Sequence, residues 1–486
     1  MSVNWNWEHA KHLLNRAGFG GRPQEIERFA DAGLEGSLDL LFDFRERALP
    51  EPKWLAEYRD FDGRRFRRLS EAERRELRRR SRRHMRELQS GWIEWMIAAP
   101  TPADMLWEKM TFFWHGHFAT SFRKVKLPPL LYNQLGLFHR NAVGSFAELL
   151  HGIIRDPAML RYLDNTQNRK GRPNENLARE LMELFSLGPG HYTEQDIREA
   201  ARALTGWAHN AARFRFVGRW HDFGEKTFLG RTGRFDGDDI VDIILEQPAC
   251  AEFMTRKLLR YFGFENATDD HVQRLARELR DYDYRLAPML RLMFSLPDFY
   301  GAENVGTQIK SPVQLVVGTA RVLQAETARP EFYLYMLDLM GQVPFFPPNV
   351  KGWPGGRAWI DTSRLLTRYT FAEILTRGEI PEEIDPRVSR NPDLEGKGAG
   401  NRSYRRMMRQ RDLRIHLDAT RLLNGEQTPE ATVARLEEVL LAADLTAAER
   451  SRLEANYRAY RKEGSEEQAL RTLLGDVMTL PAYQVC

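Results

Sequence analysis

Cysteine is nearly missing from this sequence: Cys250 and Cys486 are the two it has. That count excludes a disulfide framework and argues against a thiolate metal cluster, since either needs more sulfur. It favours a reducing compartment. Long apolar runs are missing too. None approaches the roughly 18 residues that span a bilayer, so no membrane-spanning helix is expected. The opening stretch, MSVNWNWEHAKHLLNRAGFG, is interrupted by Glu8, His9, Lys11 and Arg16. It has no apolar segment ending in a small-residue cleavage site, so no export signal is read there and a cytoplasmic protein is expected. Charge imbalance is absent as well, and a net charge of +4 over 486 residues says almost nothing about partners. No Gly-x-Ser-x-Gly elbow, phosphate-binding loop or dinucleotide fingerprint occurs.

What is present is helix. Hydrophobic residues make up 42% and charged residues 29%, the balance of a soluble globular protein. By length alone the chain is two to four domains or one large helical one. Leu106, Met110, Phe113 and Trp114 fall at i, i+4, i+7 and i+8, one apolar stripe. Similar stripes run through 145–155, 176–187, 194–205, 239–262, 270–296 and 310–324. Pro23 suits the first position of a helix and Gly33 its end. Alternating runs are scarce, and RFRFV (213–217) is the best strand. The expected fold class is therefore all-α: a large, predominantly helical single domain with at most one small β-hairpin. The stretch PEEIDPRVSRNPDLEGKGAGNRS reads as a flexible loop or linker over 381–403, dividing a helical core of 1–380 from a C-terminal helical segment of 404–486 that packs on it. Two segments, LRLMFSLPDFY and LRTLLGDVMTLPAYQ, share a helix stop before proline. Residues 64–86 hold twelve arginines. With glutamates at i±3 and i±4 they read as a solvated surface helix, and no aromatic pattern accompanies them, so nucleic acid is not the expected partner.

Four stretches mix polar and apolar residues in ways that chemistry would use. FFWHGHF (112–118) sets His115 and His117 around Gly116. If the helix continues, the two rings point about 200° apart and cannot share a metal; if Gly116 breaks it, they point the same way. In RPNENLARELMELFSLGPGHYTEQDIREAARALTGW (172–207), Leu177, Leu181, Leu184 and Phe185 make a buried stripe. About 100° away lie Asn176, Arg179, Glu180 and Glu183. Asn174 or Asn176 suits the start of that helix and Gly188 its end, while Thr193 and Asp196 form a capping box for the next. Two glutamates beside an arginine can hold a metal, act as an acid and a base, or form a plain ion-pair network. WHDFGEKTFLG places His221, Asp222 and Lys226 in a loop, where binding groups concentrate. GQVPFFPPNVKGWPGGRAWI (341–360) is an aromatic loop that walls either a pocket or the core.

Eight motifs follow one another: HLLNRAGFG, EKMTFFWHGHFATS, DPAMLRYLDN, NENLARELMELFSLG, YTEQDIREAARALTGW, HDFGEKTFLG, IKSPVQLVVG and PPNVKGWPGG. In this the chain closely resembles the bacterial family known as domain of unknown function eighteen hundred, from about residue 9 to the C-terminus. The resemblance implies one predominantly helical domain and a sulfatase-like protein encoded nearby as a partner; it implies no reaction. The family's motifs contain the polar clusters found above, mixed with helix ends and loops as in a converging site. The resulting expectation is a metal-assisted enzyme. His115, His117, Glu180 and Glu183 are its candidate ligands for Fe, Mn or Zn. Arg179, Glu180, Glu183, His221 and Asp222 are its candidate catalytic groups, with Arg179 orienting an anion. No Glu-x-x-His repeat of the di-iron bundle type supports that particular centre. The rival expectation is a non-catalytic helical scaffold or maturation partner for the sulfatase-like protein.

Overall fold

A computed structural model describes residues 3–45, 47–59, 69–210, 213–378, 413, 415–425 and 428–486. The expected linker, 381–403, lies outside them, as do Arg64, Arg65, Arg67 and Arg68 of the arginine block. Helix dominates, and the strands form three two-stranded antiparallel sheets. The chain is all-α with small hairpins.

Local chemistry fixes most helix starts. Helix α1 (Trp7–Ala17) begins where the Asn6 side chain accepts from the backbone N–H of His9. Helix α2 (Pro23–Leu41) opens on Pro23 as expected, and its first part ends at Gly33, also as expected, although a second helical part follows directly. With φ +70° and ψ 176°, Gly33 kinks the helix, which then resumes to Leu41. Helix α3 (Glu71–Ile97) starts in a Ser70–Glu73 capping box. It buries Leu77, His84, Met85, Leu88 and Trp92 and turns Arg75, Arg78, Arg79, Arg82 and Arg83 to solvent. The described part of the arginine block is thus a surface helix. Helix α4 (Pro102–His117) follows from a Thr101–Asp104 capping box.

Two hydrophobic cores form. The first gathers α3, α10 (Pro312–Val322), α11 (Glu331–Met340), α12 (Thr362–Arg377) and the C-terminal helices α13 (Pro429–Leu440), α14 (Ala447–Glu463) and α15 (Glu466–Thr479). The second gathers α1, α2, α5 (Phe146–Arg155), α6 (Asn176–Glu180), α7 (Glu194–Ala203), α8 (Gly237–Glu246) and α9 (Pro248–Tyr261). Helix α4 belongs to both: Met105 and Phe112 enter the first, and Leu106, Met110, Phe113 and Trp114 the second. A helix apolar all round must be covered on every side, which is why the chain builds a core on each flank.

Strands β1 (Trp207–Asn210) and β2 (Arg213–Phe216) form the hairpin that RFRFV announced. Strands β3 (Lys226–Phe228) and β4 (Arg231–Gly233) make a second. Both Leu-Pro stops behave alike: the helices end at Ser295 and Thr479, and short 3-10 turns start at Pro297 and Pro481.

Candidate functional site

Helix α4 runs through Gly116 to His117, so the two histidines diverge. The ring of His115 lies against Trp92, Phe112, Phe345 and Trp353. That of His117 lies against Phe113, Trp114, Phe118, Phe146 and Phe185, with no partner in common. Each side chain enters a different core. The backbone N–H of Phe345 donates to His115 Nε2 at 2.8 Å, which places the proton on Nδ1. His117 Nε2 donates to the Phe185 carbonyl at 3.0 Å, leaving Nδ1 as the bare lone pair. Among the described residues neither Nδ1 has a hydrogen-bond partner. Burial lowers the pKa of His115 to about 3 and holds that of His117 well below its ordinary value, with the Lys257 charge adding to the effect on His117. Both rings are neutral, and the structure does not bring them together.

Phe185 belongs to the segment that carries the glutamates. The Asn174 side chain accepts from the backbone N–H of Asn176 at 3.0 Å, starting α6. After Glu180 the helix widens into a π-helical turn, Leu181–Ser186. Such turns displace carbonyls from the α ladder and recur at functional sites. Here two of those carbonyls serve as anchors: Phe185 accepts from His117, and Leu184 accepts from Lys257 Nζ at 3.2 Å. Gly188, at φ +77°, ends the segment. Arg179 does not face the glutamates. Its guanidinium donates to both carboxylate oxygens of Glu194 at 2.9 Å and to Glu175 at 3.1 Å, fastening α6 to the start of α7. The side chain expected to orient an anion is thus held by two carboxylates.

Glu180 and Glu183 are left with each other. Both are partly buried, and among the described residues neither carboxylate accepts a hydrogen bond. The nearest cation is Lys351, 4.0 Å from Glu183. Burial first, and the Glu183 charge second, raise the pKa of Glu180 above the ordinary carboxylate value; Lys351 and Arg179 pull the other way. Lys351 arrives on the aromatic loop, and one glycine explains how. Gly352 has φ +77°, and a Cβ there would lie 2.4 Å from the Gly116 carbonyl oxygen. The loop therefore sits directly on the backbone of FFWHGHF, and Trp353 stacks on Phe112. Three of the sequence motifs meet at this point: the end of α4, the π-helical turn and PPNVKGWPGG.

His221 and Asp222 have partners of their own. His221 Nδ1 donates to the Thr205 carbonyl at 2.8 Å, and the Asp222 backbone N–H donates to Thr205 Oγ1 at 2.8 Å. The Asp222 carboxylate accepts from Arg202 at 2.8 Å, and Arg202 also binds Glu199 at 2.6 Å. Lys226 lies on β3, buried, with its ammonium donating to the carbonyls of Asp222 and Gly224. This network ties the loop to α7, and its partners do not overlap those of Glu180 and Glu183. Among the described residues no three His, Cys, Asp or Glu side chains are grouped as a metal would need.

Sequence reasoning passed over two groups. Lys351 stood inside a quoted motif, but its loop was read for its aromatics rather than its charge. Glu108 opens the quoted motif EKMTFFWHGHFATS, but no spacing singles it out from the apolar residues around it. It is fully buried and accepts from Trp92 (3.1 Å), Trp95 (2.7 Å) and His139 (3.1 Å). With its acceptor sites filled, it is a structural carboxylate.

The model of the family described as "Protein of unknown function (DUF1800)" matches residues 12–485. No curated protein and no solved structure matches the chain. No described helix is long and apolar enough to cross a membrane.

Proposed function

Because the chain belongs to the DUF1800 family, whose description assigns no reaction, we propose from its own residues that it is an enzyme with Glu180 and Glu183 as a paired acid and base. One observation carries this reading: two partly buried carboxylates adjoin without hydrogen-bond donors, and the arginine that precedes them in sequence is engaged elsewhere. A structural carboxylate pair would be compensated, as Glu108 is. Burial and the neighbouring Glu183 charge favour the protonated form of Glu180, the direction that a general acid needs. Glu180 is the proton donor, Glu183 the acceptor, and Lys351 the cation that a substrate carboxylate or phosphate would meet.

Metal assistance is the same site's second use. Fe and Zn centres ask for three or more protein ligands, and no third His, Cys, Asp or Glu joins this pair among the described residues. Two carboxylates suit a hard cation that keeps waters or substrate oxygens, so Mn is the fitting member of the expected three. The scaffold reading, with a sulfatase-like partner, draws its support from His115, His117 and Arg179, which are all absorbed by packing or ion pairing.

The test combines carboxyl-carbon NMR titration with a panel of ester, phosphoester, glycoside and peptide substrates. Glu180 should titrate above the ordinary glutamate value, fall when Glu183→Gln is introduced, and any turnover found should vanish in both single glutamine variants at unchanged melting temperature. An ordinary, Glu183-independent titration of Glu180, or turnover that survives both variants, would remove the pair from the chemistry. Elemental analysis of protein purified without added metal decides between the proton-only and Mn-assisted forms.

A further inference from the structure

The surface around the second polar loop differs from its surroundings in exposing aromatic rings. Phe216, at the end of β2, is 46% exposed, and Phe223, in the loop that follows, is 60% exposed. They form one patch. A Cβ on Gly218 would lie 3.7 Å from the Phe216 ring and 4.0 Å from the Phe223 ring, so no side chain separates them. Beneath them the His221 ring packs against both, at 5.2 and 4.6 Å. His221 is itself pinned to the Thr205 carbonyl, which makes the platform rigid.

Cations border this patch. The guanidinium of Arg169 lies 4.2 Å from the Trp220 ring centroid and that of Arg219 5.6 Å from it. The Lys170 backbone N–H donates to the Trp220 carbonyl at 2.7 Å, which draws the segment 169–172 alongside. Arg169, Lys170, Arg172 and Arg219 are all exposed, and none has a carboxylate partner among the described residues. Of the acidic groups beside them, Asp222 is bound by Arg202, and Glu225 is exposed.

We propose that this face docks on an anionic lipid bilayer, with Phe216 and Phe223 entering the interfacial region and the four cations binding headgroup phosphates. Exposed phenyl rings lose water on entering the acyl boundary, and each cation near an anionic leaflet contributes about 1 kcal/mol. Trp220, half-buried under two guanidiniums, is suited to the headgroup level. A single-stranded nucleic acid is the other polyanion that aromatics and arginines serve. It needs separated ring faces on which successive bases stack. Here both rings converge on one glycine rather than standing apart as successive platforms. The docking is peripheral, reversible and sensitive to salt.

Co-sedimentation of the full chain with phosphatidylcholine vesicles, with and without phosphatidylserine, tests this. Wild-type protein should partition at least about tenfold more strongly onto the phosphatidylserine vesicles and be released by high salt. The double variants Phe216→Ser with Phe223→Ser, and Arg169→Gln with Arg219→Gln, should each weaken partitioning about tenfold. Both variants are on the surface, and an unchanged melting temperature verifies their folding; the lipid-composition comparison stands on wild-type protein alone. Equal partitioning with and without phosphatidylserine would overturn the proposal. So would undiminished binding by the phenylalanine variant, or single-stranded oligonucleotide binding that depends on the same phenylalanines.

Discussion

An imidazole among aromatic rings stays neutral because nothing there solvates its charge. His115 illustrates the cost of the alternative. Its folded pKa of about 3 lies below the ordinary 6.5, so the unfolded chain takes up a proton between those values while the native chain does not. Stability therefore falls as pH drops from 6.5 toward 3, and is unaffected by this group above 6.5. At pH 5 the loss from His115 is about 2 kcal/mol, with His117 adding in the same direction. The urea midpoint should accordingly be lower at pH 5 than at pH 7. His115→Gln keeps an acceptor for the Phe345 N–H but cannot be protonated, so its midpoint should change less between the two pH values. An equal pH dependence in variant and wild type would mean that this ring is not titrated by unfolding.

At the scale of elements, two glycines that touch each other make opposite forecasts. Gly352 combines φ +77° with a Cβ position 2.4 Å from the Gly116 carbonyl oxygen. Gly352→Ala should cost on the order of 1–3 kcal/mol in backbone strain alone, and the displaced loop should carry Lys351 away from Glu183. Gly116 lies within α4, and the nearest atom to its Cβ position is on Trp353 at 3.9 Å, an ordinary contact. Gly116→Ala should therefore be neutral or stabilising by up to about 1 kcal/mol, the helix-interior preference. Thermal melts of the two variants check both signs, and equal destabilisation would contradict the described contact.

The same pair shows what the sequence could and could not convey. Periodicity located α4, the Thr193–Asp196 box placed the start of α7, and RFRFV gave the hairpin, because each depends on neighbours a few residues apart. Gly116 stays helical, and a loop more than 200 residues away sits on its carbonyl, a contact that no local pattern contains. The π-helical turn was hidden for a similar reason. Its sequence, LMELFS, has an α-helical apolar stripe, and the carbonyls it frees are claimed by His117 and Lys257 from other helices. Glu180 and Glu183 were legible as a pair; Arg179 looked like their partner only because a stripe on a helix does not show Glu194 across the turn.

On the whole-molecule scale, α4 couples the two cores. Losing either one strips part of the cover from the same helix, so the described regions should unfold in one cooperative transition. Calorimetric and van't Hoff enthalpies should agree, and circular dichroism and tryptophan fluorescence should share a midpoint. Two resolved transitions would show that the cores are independent.

The two cores also differ in when a ribosome can deliver their parts. The second draws on residues from Ala10 to Tyr300, whereas the first joins Phe19 to Tyr483. At roughly 5–20 residues per second, the last helices of the first core emerge on the order of ten seconds after the second core is complete in sequence. Through the first part of that interval α4 is sheltered on its His117 flank, while the flank that carries Phe112 and His115 has Trp92 beside it but still lacks Phe345 and Trp353. The nascent chain thus presents an aromatic helix face whose cover is completed only when Phe345 and Trp353 arrive, and translation that stalls before them would leave that face to chaperones or to aggregation.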